Sequence, residues 1–164
     1  MSKEELEKAK FFFQLALESE QVIQQAYERL NTKIRHFFAV TSTLIPIVTG
    51  LGYFIVRETK VYLVFIPILL SLVFLLGAIG RGILLQKPTH ILFVNPMKMI
   101  NSHRKKSVKY IIEKSASTWS DTVAHNRNVI NSKENGLTQM LIFIGAGLIM
   151  LAIAFLTLGI TLMN

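Results

Sequence analysis

Three features of the sequence predict an all-α integral membrane fold. Three apolar runs are long enough to cross a bilayer, two charged stretches with helical periodicity lead into the first and third runs, and the composition is too apolar for an ordinary soluble domain. Of the 164 residues, 51% are hydrophobic and the mean hydropathy is +0.45, so water is not the chain's only solvent. The absence of cysteine excludes disulfides, thiolate metal ligands and a thiol nucleophile. The predicted order is a cytoplasmic amphipathic helix over residues 1–36, a transmembrane helical hairpin over 37–85, an interfacial elbow over 86–104, and a long cytoplasmic helix continuing into a third transmembrane helix over 105–163.

The first element carries charges of both signs from Met1 to Lys10, and no apolar core follows before Phe37, so it does not read as a cleavable signal. No myristoylation start or prenylation end marks a lipid anchor. Phe12, Ala16, Ser19, Ile23, Ala26, Leu30 and Ile34 recur at spacings of four and three, alternating as far as Leu30, the seam of a helix that packs on another helix.

The hairpin follows from two runs, Phe37 to Val56 and Val61 to Leu85. Only Arg57-Glu58-Thr59-Lys60 separates them, too short for anything but antiparallel neighbours. Ser42, Pro46, Thr49 and Gly50 make a stripe of small and hydroxyl-bearing residues in the first run. Arg81, near the end of the second, reads either as a side chain snorkelling to the headgroups or as a gating charge.

The elbow contains Pro88 and Pro96, which forbid one continuous helix from Val61 to Ser132. Its apolar patches, Ile91 to Val94 and Met97 to Ile100, are too short to span and are expected at the interface. Arg104, Lys105 and Lys106, with Lys109 one turn on, form with Arg81 the expected contact with anionic lipid; a phosphate-rich ligand such as a nucleotide is the competing reading. Beyond the elbow, Val108, Ile112, Ser115, Trp119, Thr122, Asn126 and Ile130 repeat the seam of the first helix. The two helices could pair in parallel as a stalk, or lie separately on the lipid surface.

The third run is Leu137 to Met163. Gly147, Ala154, Thr157 and Thr161 fall on one face, and Gly145, Ala152 and Gly159 on another. Small residues let helix backbones approach closely in lipid, and hydroxyls can bond across the contact. These residues therefore serve either packing within one protomer or an oligomer whose Thr/Ser faces line a pore.

Lys and Arg number six before the first run, two in the hairpin linker, ten in the long loop with Arg81 included, and none after the third run. By the positive-inside rule the N-terminus and long loop are cytoplasmic and the C-terminus is outside, in a multi-pass protein of the cell (inner) membrane. The same rule accounts for the net charge of +8 without nucleic acid as a partner.

Enzymatic chemistry lacks its residues. No two of His36, His90, His103 and His125 share a helical-turn spacing, Asp121 is the only aspartate, and the six N-terminal glutamates interleave with basic residues as on a solvated face. No nucleophile elbow, phosphate-binding loop or dinucleotide fingerprint occurs, and no cofactor is expected. No intramembrane carboxylate marks an ion path.

An N-terminal helix entering a tight hairpin, then a basic elbow and a long helix, with Ala26-Tyr27-Glu28-Arg29-Leu30-Asn31-Thr32-Lys33 before the first run and Asn126-Arg127-Asn128-Val129-Ile130-Asn131-Ser132-Lys133 before the last, resembles the small membrane effectors of prokaryotic antiviral defence. The similarity is to SLATT-type domains, which usually have two spans where this chain has three, and to the transmembrane effectors of CBASS and Pycsar systems. The resemblance implies an oligomerising protein that permeabilises the inner membrane when signalled. Its expected partners are membrane lipids, further copies of itself and a cytoplasmic signalling or sensor protein. The alternative is a membrane-anchored interaction module whose cytoplasmic helices bind a partner protein, with Trp119 and Phe12 as anchors.

Overall fold

The computed structural model describes residues 3–59, 62–87, 89–92, 94 and 108–163. Among them the fold is all-helical, with no strand. Helix α1 spans Lys3–Thr59, a 3-10 turn covers Tyr62–Val64, α2 spans Phe65–Gln86 and α3 spans Val108–Met163. All three helices contain segments long and apolar enough to cross a membrane.

The amphipathic helix and the first apolar run are thus one unbroken helix, and so are the last charged helix and the third run. Pro46 lies inside α1, where it removes the backbone bond to the carbonyl of Ser42. The turn before it is thick with hydroxyls turned back on their own helix: Thr41, Ser42 and Thr43 donate to the carbonyls of Phe37, Phe38 and Ala39 at 2.7, 2.8 and 3.0 Å. The second run begins one 3-10 turn later than its hydropathy alone indicates. Pro67 falls in the first turn of α2, where a missing N–H leaves no helical bond unmade. At the other end Lys87 is extended (φ −55°, ψ 134°), as a residue before proline must be, and α2 stops there.

The chain divides into two compact units, one made of residues 1–30 and 88–132, the other of 31–87 and 133–164. These boundaries cut α1 and α3 a few residues before their apolar runs begin. In the second unit, Ile34, Thr41, Val48 and Ile55 of α1 are buried at heptad spacing. From the 3-10 turn comes Val64 and from α2 Ile68, Ser71, Leu75, Ala78, Gly82 and Leu85, alternating by four and three. From α3, Lys133, Leu137, Met140, Ile144, Gly147 and Ala154 follow the same rule. A 3.5-residue repeat through most buried positions of all three helices, with Pro67 and Gly136 buried beside it, is the signature of left-handed, knobs-into-holes packing. The core comprises a cluster of Val48, Ile55, Val64, Ile68, Leu75 and Ala154 and a second of Ala78, Met140 and Ile144.

Among the described side chains of the first unit, the buried apolar ones are Leu30, Val94 and Trp119. Of the predicted seam in α1, Ser19, Ile23 and Ala26 are half-buried and Leu30 is buried; in α3, Ser115, Thr122 and Ile130 are half-buried while Trp119 and Asn126 are buried. The side chains of Phe12, Ala16, Val108 and Ile112 lie outside the described set.

Candidate functional site

The apolar unit presents two kinds of helix face, and the glycines distinguish them. A Cβ on Gly147 would sit 3.1 Å from Leu75 Cγ and 3.3 Å from the carbonyl oxygen of Ser71; one on Gly82 would meet Phe38 at 2.8 Å; one on Gly136 would collide with Leu85. These glycines exist so that α3 and α2 can approach their neighbours. The approach is closed by a hydrogen bond, Ser71 Oγ donating to the carbonyl of Gly147 at 2.7 Å, buried between the two helices. Gly50, Gly80, Gly145 and Gly159 are the opposite case, with no atom within 4 Å of a Cβ.

Against this geometry the predicted small-residue stripes separate. Gly147 and Ala154 are buried and pack within the protomer. Thr157 is half-buried and Thr161 exposed, and their hydroxyls donate along their own helix to Ile153 and Thr157 at 2.9 and 2.7 Å. In the first run Ser42 is half-buried while Pro46, Thr49 and Gly50 are exposed, and Thr49 likewise donates to its own Ile45 carbonyl at 2.8 Å. The hydroxyls of Ser42, Thr49, Thr157 and Thr161 are satisfied by their own helices. The stripe of the first run faces out of the bundle, and so does the second set in α3, where Ala152 is exposed between Gly145 and Gly159.

Arg81 is the only charge in α2. It is half-buried, and its Nε is fully buried with no hydrogen-bond partner. Arg104, Lys105 and Lys106 lie outside the described residues; Lys109 is in the first turn of α3, and its side chain is also outside them.

Buried polar contacts sit at positions to which the sequence analysis assigned no polar role. In the first unit Asn126 Oδ1 accepts from the backbone N–H of Leu92 at 3.0 Å, and its Nδ2 donates to the carbonyl of the same residue at 2.9 Å. One side chain thereby pairs both backbone groups of a residue in the non-helical segment after α2, and Tyr27 adds a bond from its hydroxyl to the Thr89 carbonyl at 3.3 Å. In the second unit buried Lys133 donates from Nζ to Asn31 Oδ1 at 2.9 Å. The heptad step of seven from Trp119 through Asn126 and Lys133 to Met140 was the available signal for both, because a polar residue in register with core positions needs a buried partner.

Trp119 is core of the first unit rather than an exposed anchor. Asp121 and His125 stand one turn apart on α3, both exposed, and no group of three or more potential metal ligands occurs among the described residues. Comparison with known protein families, curated proteins and solved structures finds no match.

Proposed function

We propose that this chain is a multi-pass protein of the cell inner membrane, N-terminus and elbow cytoplasmic and C-terminus outside, whose copies associate into a membrane-disrupting or pore-forming assembly of the antiviral-defence type. The observation that carries the reading is the outward placement of small residues in helices otherwise apolar all round. Gly145, Ala152 and Gly159 repeat every seven residues on the side of α3 away from Gly147, and Thr43 and Gly50 do the same on α1 away from Thr41 and Val48. Lipid tails need no such flatness, whereas a neighbouring helix does. The positive-inside count supports the orientation.

The test is membrane potential in cells expressing the protein or its Gly145→Leu, Gly159→Leu double variant, after both are shown to insert equally. Depolarisation and chemically crosslinked oligomers are expected for the wild type and lost in the double variant. Equal depolarisation by both, or a wild type that neither depolarises nor crosslinks, removes the reading.

A second reading, the membrane-anchored interaction module, draws on a different surface. Phe11, Leu15 and Val22 are exposed on one face of the charged part of α1, at spacings of four and seven. It predicts that exchanging the apolar helices for an unrelated anchor preserves activity.

A further inference from the structure

Arg81 occupies a position that an isolated protomer does not explain. It is the one charge in an otherwise apolar helix, and its Nε is buried without a hydrogen-bond partner. No acidic residue occurs in α2 or in residues 137–163 of α3 to pair with it. Arg81 as a whole is only half-buried, so the rest of its guanidinium is open to an acceptor from outside the chain, and an unmet charged donor in apolar surroundings favours one.

The surroundings indicate what kind. One turn to either side, Gly77 lies against the ring of Phe143 (a Cβ would be 3.6 Å from Cδ1) and Leu85 against Gly136, which puts Arg81 on the strip of α2 that borders α3. It sits five residues before Gln86, about 7.5 Å of helical rise from the end of α2, within snorkelling reach of a headgroup layer. On the other side of Arg81, deeper along α2, the chain has Gly80, beside which a Cβ would meet nothing within 4 Å, then Gly77, with Leu76 and Val73 exposed beside them. A charged donor near the rim and an apolar helix face with open space beside Gly80 match an amphiphile, with an oxyanion at one end and hydrocarbon at the other.

We propose that Arg81 binds the phosphate of an anionic phospholipid in the cytoplasmic leaflet, one acyl chain lying along the exposed face at Gly80 and Leu76. The inference rests on the membrane reading above and is independent of whether a pore forms. The planar guanidinium suits a phosphate because it can donate two parallel N–H bonds, which a lysine ammonium cannot. A free phosphate or nucleotide phosphate offers the same oxyanion chemistry without the hydrocarbon, and the apolar face at Gly80 is what separates the two sources.

The experiment is native mass spectrometry of the full chain in nonionic detergent, with phosphatidylglycerol, phosphatidylcholine of the same acyl chains, or inorganic phosphate added. The wild type is expected to retain phosphatidylglycerol about tenfold better than phosphatidylcholine, the scale of one charge-assisted contact. Arg81→Gln should abolish that preference and Arg81→Lys should keep part of it. Gly80→Leu leaves Arg81 in place on a backbone with open space beside it, and should lower lipid retention. An unchanged preference in Arg81→Gln overturns the site. Displacement of the lipid by equimolar inorganic phosphate, or full lipid retention by Gly80→Leu, overturns the lipid as its occupant. Carbonate extraction of membranes runs alongside: extraction of the wild type defeats the membrane reading and this proposal with it, whereas a wild type that resists extraction but shows no lipid preference defeats this proposal alone.

Discussion

The unit of residues 31–87 and 133–164 and the unit of residues 1–30 and 88–132 share two of their helices, and α3 carries one heptad register through both, yet they are held by different chemistry. In the former, the register is filled by Leu, Ile, Val and Met against glycines that admit them, and the interhelix polar contacts include Ser71 with Gly147 and Lys133 with Asn31. In the latter, the register of α3 is filled by Trp119 and Asn126, and side chains reach the backbone of the segment after α2 from Asn126 and Tyr27. On the membrane reading proposed above, the former is a lipid-facing bundle that gains little from hiding apolar side chains, which meet hydrocarbon either way, so close shape does the selecting. A water-facing unit must instead satisfy the backbone of any non-helical segment it holds.

That contrast can be broken where shape matters most. Gly147→Leu places a side chain where even a Cβ is tight against Leu75 and the Ser71 carbonyl, and should destabilise the apolar unit by about 3 kcal/mol, the upper end of overpacking. Gly145→Leu, two residues away with open space, should leave stability unchanged; reversible unfolding in mixed micelles reads both, and equal losses would mean that α3 presents a different face to α2. Asn126→Ala comes next. It strands the N–H and carbonyl of Leu92 and should cost about 2 kcal/mol, confined to the first unit. Amide exchange should accelerate around residues 89–94 and stay constant in α2; acceleration in α2 as well would show that the two units open together. The smallest effect belongs to Ser71→Ala, where the lost bond to Gly147 should cost about 0.6 kcal/mol, since hydrogen bonds between apolar helices are worth little once shape is set. A loss as large as that of Gly147→Leu would make the hydroxyl, rather than the close approach, the main tie between α2 and α3.

How far the residues disclosed this arrangement depended on their solvent. In the charged stretches, where apolar side chains stand out against polar ones, the seam through Ser19, Ile23, Ala26 and Leu30 was legible, and so was the one through Trp119 and Asn126. In the apolar runs the same reasoning grouped Ser42, Pro46, Thr49 and Gly50 with Gly147 and Ala154 as small-residue stripes, whereas the first group faces mostly outward and the latter two pack inward. Ser71 was not singled out at all, because one hydroxyl among apolar residues carries no sign of the carbonyl it will meet 76 positions later.

The sequence by itself determined the helices and their limits. Run length, hydropathy, Pro67 at the start of α2 and Pro88 after its end act through neighbours a few residues away. Only the tertiary structure decided which side of each apolar helix is the inside. A helix that is hydrophobic all round has no moment to orient it, so its register is chosen by close fit, glycine against leucine, and that fit exists only once the partner helix is in place.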